Sequence, residues 1–89
     1  PDLERFPSLK LALDVIEVGK TAPAIMSAAN EIAVQAFLDG KIKFTDVYNV
    51  VAMVVDNMEP VIIDSLETIL QVDQAARDMA RQKISKLIH

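Results

Sequence analysis

The chain has 89 residues, enough for one compact domain with one core, although a chain this short buries a smaller share of its surface than a larger domain. Of these residues 52% are apolar and only 4% aromatic, which restricts the core to Ala, Val, Leu, Ile and Met and favours close-packed helices. A net charge of -4 repels a phosphate backbone, the absence of cysteine excludes disulfides and thiolate metal sites, and the longest apolar run, residues 50–55, is far shorter than a membrane span.

The first residues, Pro1-Asp2-Leu3-Glu4-Arg5, lack the basic-then-apolar order of a secretory signal. A start at Pro1 without Met is read as excision from a longer chain. Pro7-Ser8 opens the first periodic stretch, with Ser8 placed to cap and Gly19 placed to end it, which predicts a helix over residues 9–18. Leu9, Ala12, Leu13 and Ile16 share one face of that helix. Leu11, Val15 and Val18 form a second apolar stripe, with Lys10, Asp14 and Glu17 between the two. A lone small domain seldom buries a helix on two sides, so the Leu11, Val15 and Val18 stripe is the expected meeting surface with another domain.

Thr21 as cap and Pro23 in the first turn predict a central helix that runs to Leu38 and stops at Gly40. Ser27, Glu31 and Gln35 make its polar stripe. Asn30 falls among Met26, Val34 and Phe37, and is expected to be buried and hydrogen-bonded. The frequent alanines of this stretch allow neighbouring helices to come close. Residues 41–44 are a short connector, after which Thr45 and Asp46 begin a third helix by capping it and by placing an anion at its positive end. Val47, Val50, Val51, Val54, Val55 and Met58 share one face. Their β-branched content makes a buried strand over residues 50–55 the competing assignment, and the spacing and cap favour helix.

Pro60 ends the third helix, and residues 61–63 are expected to form an extended connector packed on the core. Ser65 is placed to cap a short helix over residues 66–71, and Asp73 to cap a last helix over residues 74–88. Ala76, Met79, Ala80, Ile84 and Leu87 of that helix face inward, and Arg77, Asp78, Arg81, Gln82 and Lys86 face water. The basic cluster of Arg77, Arg81, Lys83 and Lys86 suits the C-terminal half of a helix dipole, so no nucleic-acid partner is expected. The architecture predicted for residues 1–89 is a single all-α domain: a bundle of four main helices with short connectors and one extra short helix.

No catalytic constellation emerges from these residues. With only Gly19 and Gly40 the backbone has no glycine-rich phosphate loop. His89 is terminal, and Ser8, Ser27, Ser65, Thr21 and Thr45 are accounted for as caps or surface groups. Asp56 with Glu59, and Asp73 with Asp78, have the composition of acid/base or metal pairs but fit solvated helix faces and caps. Glu31 beside Asn30 lies on the polar stripe, and Met53 falls away from the core face carrying Met58. The residues singled out are therefore structural: Thr21, Asn30, Thr45 and Asp73.

Two stretches carry a resemblance. Gly19-Lys20-Thr21-Ala22-Pro23-Ala24-Ile25-Met26-Ser27-Ala28-Ala29-Asn30-Glu31 with Ala36-Phe37-Leu38-Asp39-Gly40, followed by Ile42-Lys43-Phe44-Thr45-Asp46-Val47, is similar to the C-terminal region of the 1-deoxy-D-xylulose 5-phosphate reductoisomerases. Ser65-Leu66-Glu67, Val72-Asp73 and Ala76-Arg77 resemble that family's closing segment. Ser27 stands where the family usually has Asn, and Lys20 where a second Gly is common. The resemblance implies a parent enzyme of isoprenoid synthesis that uses NADPH and Mg or Mn to convert 1-deoxy-D-xylulose 5-phosphate to 2-C-methyl-D-erythritol 4-phosphate. It also implies a homodimer located in bacterial cytoplasm or a plastid-type organelle. The partners implied for this chain are the catalytic and NADPH-binding domains of the same polypeptide, with no catalytic, cofactor or metal residue carried by the chain itself. The reading from another class is a free-standing helical interaction module that presents Leu11, Val15 and Val18 to a separate protein.

Overall fold

The computed structural model describes residues 7–88; the expectations for residues 1–5 and for His89 lie outside them. Four helices follow one another among the described residues: α1 Pro7–Val18, α2 Ala22–Leu38, α3 Phe44–Asn57 and α4 Leu66–Leu87. The predicted all-α bundle is the observed class.

Each helix end has a local cause. Gly19 and Lys20 both take positive φ, +68° and +53°, and turn the chain sharply from α1 into α2. Pro23 sits in the first turn of α2, where its fixed φ suits the helix and no N–H is needed. At the other end Gly40 has φ +76°. Its N–H donates to the Phe37 carbonyl at 3.0 Å, and the Lys41 N–H donates to the Ala36 carbonyl at 2.9 Å. This pair of bonds closes the helix on a left-handed glycine and satisfies carbonyls that would otherwise be orphaned.

The start of α3 lies slightly earlier than predicted. Lys43 is the cap residue, and the Asp46 carboxylate accepts its backbone N–H at 2.9 Å. Thr45 is therefore an exposed residue inside the first turn and not the cap. Burial of Val50, Val51 and Val54 against α2 overrides the weak helix propensity of the valine run. Ser65 caps α4, its Oγ accepting the Thr68 N–H at 3.2 Å. The 22-residue α4 absorbs both the short helix and the last helix expected from the sequence. Asp73 lies mid-helix, where it pairs with Arg77 at 2.7 Å instead of capping.

Helix α2 is the hub, packed against α1, α3 and α4, and α3 also meets α4. Ile25, Ala28, Ala29 and Ala33 of α2 join Val50, Val51 and Val54 of α3 and Ala76, Ala80 and Ile84 of α4 in one buried cluster. Met26, Met58 and Met79 pack on it as expected, and so does Met53, which the wheel had placed away from it. The small side chains on both sides keep α2 and α4 close, giving a slab of 39 × 32 × 18 Å.

Candidate interaction surface

Thr21 has a different task from the one its position suggests. Its side chain makes no capping bond to α2. Instead it is fully buried, and its Oγ1 accepts the Val61 N–H at 2.9 Å. The Thr21 N–H in turn donates to the Val61 carbonyl at 3.1 Å. The residue between α1 and α2 thus pins the connector between α3 and α4. Beyond that pin the connector does not pack on the core as expected: Val61, Ile62 and Ile63 are all exposed, Ile62 by 73%.

The two apolar stripes of α1 are assigned in reverse by the structure. Val15 is buried at 4% exposure and Leu11 packs against the core, so both belong to the inner face that meets this domain's own helices. Only Val18, at the helix end, remains exposed among the three residues predicted to face another domain. The outer face consists of Leu9, Leu13 and Ile16, exposed by 39%, 44% and 69%. Periodicity marks both stripes equally, and only the packing partner distinguishes them.

Asn30 is exposed, which corrects its expected burial. Its α2 position falls at the rim of a small apolar hollow of about 190 Å³ lined by Leu11, Met26, Phe44, Val47, Tyr48 and Val51. An amide at a rim is satisfied by water and needs no protein partner. Phe37 and Phe44 stack edge to face at the α2–α3 turn, with ring centroids 5.4 Å apart, and Phe44 leaves most of its ring in solvent.

Charged residues form a short network. Arg77 donates through Nε to Asp73 at 2.7 Å and through Nη2 to Glu31 at 3.0 Å, tying α4 to α2. The hydrogen bond and charge of Arg77 hold the Glu31 carboxyl below the usual carboxylate range. The two acids in turn push the guanidinium pKa further up. Glu31 is thereby an ionised partner and not a proton carrier at neutral pH. Arg77 carries no sequence signal beyond its place four residues after Asp73, which is the i,i+4 spacing of a helical ion pair.

Asp78, weighed with Asp73 as a carboxylate pair and assigned to a solvated helix face, accepts from Gln74 at 2.9 Å and from Arg81 at 3.2 Å. No group of three His, Cys, Asp or Glu side chains converges among the described residues. The described residues therefore do not fit a divalent-cation site. Gly19 and Gly40 serve as helix-ending turns, so they do not fit a dinucleotide cradle either. An open groove of about 590 Å³ between α2 and α4 mixes Asp39, Lys41 and Arg81 with Ile32 and Ile84. Among the described residues no buried polar side chain lacks a partner. The described residues leave apolar surface open on the outer side of α1 and on the 61–63 connector.

The family model of the DXP reductoisomerase C-terminal domain matches residues 1–79. The 1-deoxy-D-xylulose 5-phosphate reductoisomerase of Cupriavidus metallidurans is 51% identical over 87 residues, covering 98% of this chain and 22% of the relative. That of Chlorobaculum tepidum is 51% identical over 84 residues, covering 94% and 22%. A solved structure of the reductoisomerase from Zymomonas mobilis in complex with NADPH superposes with a TM-score of 0.87 at 46% identity, covering 94% of this chain and 22% of that one. The chain thus spans between a fifth and a quarter of the length of these relatives.

Proposed function

The chain belongs to the DXP reductoisomerase C-terminal domain family, and from that premise we propose that it is the helical closing domain of an NADPH-dependent 1-deoxy-D-xylulose 5-phosphate reductoisomerase. Its role there is structural: it buttresses the catalytic domain and contributes to turnover through position, without supplying reacting groups. The observation that carries this reading is a match over 98% of the chain to relatives of which it makes up only 22%. The local chemistry supports it, because the carboxylates of the Asp73–Arg77–Glu31 and Asp78–Arg81 groups are engaged with one another's cations.

The reaction assigned to the whole protein is the rearrangement and reduction of 1-deoxy-D-xylulose 5-phosphate to 2-C-methyl-D-erythritol 4-phosphate. The NADPH and the Mg or Mn that this chemistry requires are held by the other domains, which we take to form a homodimer in bacterial cytoplasm or a plastid-type organelle. No helix among the described residues is long and apolar enough to cross a membrane. The test is to express the full-length protein that carries this chain, supply NADPH, Mg or Mn and the sugar phosphate, and follow NADPH oxidation together with product mass. Oxidation that depends on the sugar phosphate is expected. A well-folded full-length protein that leaves NADPH unchanged overturns the assignment.

A further inference from the structure

We propose that the outer face of α1, formed by Leu9, Leu13 and Ile16, is where the preceding part of the same polypeptide docks, an inference that rests on reading the chain as the closing domain of a longer reductoisomerase. These residues recur at i, i+4 and i+7, which aligns them on one side of the helix. They are exposed by 39%, 44% and 69%, although each is a large aliphatic side chain. Lys10, Asp14 and Glu17 flank them along one edge, which reproduces the apolar centre and polar rim of a contact surface.

The internal hold on α1 is light. Val15 is its one buried residue, against six on α2, and its main packing partner is α2. A helix held on one side by so little is steadied when its second apolar face is also covered.

The occupant follows from length and connectivity. More than three quarters of the Cupriavidus metallidurans relative lies outside the matched stretch, and in a C-terminal domain that remainder lies on the α1 side of the chain. Tethering presents it to α1 at an effective concentration on the order of millimolar, far above that of a second copy in dilute solution. A second copy is also poorly served by this face. The stripe runs only about 10 Å along the helix at 1.5 Å per residue, whereas a stable dimer buries roughly 800 Å² on each partner.

The test uses the full-length protein with Leu13→Cys or Ile16→Cys, measuring thiol alkylation at each position by peptide mass spectrometry against the same protein unfolded in urea. Docking predicts labelling about tenfold or more slower in the folded protein, because a covered face is reached only through local opening. Labelling as fast as in urea overturns the proposal. Protection that disappears on dilution overturns it too, since it assigns the face to a second copy. Hydroxyl-radical footprinting of Leu13 and Ile16 in the unsubstituted protein reads the same faces if a cysteine variant fails to fold. NADPH oxidation is measured on the same preparation: activity with unprotected thiols rejects the docking face alone, whereas protected thiols without activity reject the assigned reaction.

Discussion

Thr21 and Val61, 40 residues apart, are joined by two hydrogen bonds, one from the Val61 N–H to Thr21 Oγ1 at 2.9 Å and one from the Thr21 N–H to the Val61 carbonyl at 3.1 Å. The hydroxyl is the only part of this clamp that a side chain can remove. Thr21→Val keeps the volume but strands the Val61 N–H, which should cost about 1–3 kcal/mol. Thr21→Ser keeps the acceptor and loses one methyl, about 0.8 kcal/mol. Urea unfolding followed by helical circular dichroism should rank the serine variant clearly above the valine variant. Equal losses would mean that the methyl, not the clamp, matters.

Lys20 sits at φ +53° immediately after Gly19 at +68°. A Cβ in this left-handed conformation costs about 1–2 kcal/mol, and glycine there gives back part of the gain as unfolded-state entropy, about 0.4–1 kcal/mol. Lys20→Gly should therefore stabilise the domain by about 0.5–1 kcal/mol. Gly19→Ala should move it the opposite way. The measurement is the urea midpoint at constant m-value, and a Lys20→Gly midpoint at or below that of the parent would show that the turn is relaxed by other means.

The helices whose ends carry strong punctuation were legible in the sequence. Pro23 and Gly40 bracket α2, and the valine spacing locates α3. The misreadings share a cause, which is that short-range pattern does not report tertiary partners. Asp73 resembles a cap, yet no glycine or proline interrupts residues 61–88, and its pairing with Arg77 at 2.7 Å supports a continuous α4. Thr21 has the composition of a cap, but its partner lies 40 residues away. On α1 two apolar stripes of similar strength compete, and whichever one finds α2 is buried. Asn30 lies among apolar neighbours along the helix, although its side chain reaches the surface.

Acid should loosen the contact between α2 and α4. Arg77 holds the Glu31 carboxyl below its ordinary 4.5. A carboxyl whose folded pKa is depressed contributes stability that is complete above its unfolded value and is lost as pH falls through its folded value. The contribution is thus present at neutral pH and fades below 4.5. Arg77→Gln removes it. The gap in urea midpoint between parent and variant should be widest near neutrality, narrow on acidification below that point, and narrow also with added salt, because Glu31 is largely exposed. A gap that is constant across the acid range would assign the effect of Arg77 to packing of its stem.

The close approach of α2 and α4 rests on residues that cannot grow. Ala29 and Ala33 on α2, and Ala76 and Ala80 on α4, are all 0% exposed. A leucine at any of them must displace a neighbouring helix or leave its rotamer well, at a cost of about 1–3 kcal/mol. Apolar burial alone predicts the reverse sign, since leucine is the more hydrophobic residue and an almost equally good helix former. The sign therefore decides whether packing geometry or hydrophobicity limits this core. Ala33→Leu and Ala76→Leu should each lower the thermal midpoint, by about 4–8 °C per kcal/mol for a domain of this size. Ala75→Leu, on the exposed side of the same α4 turn, should change stability by no more than about 0.5 kcal/mol. A midpoint raised by either of the two buried substitutions would mean that the seam has room, and that the alanines reflect helix propensity instead of contact.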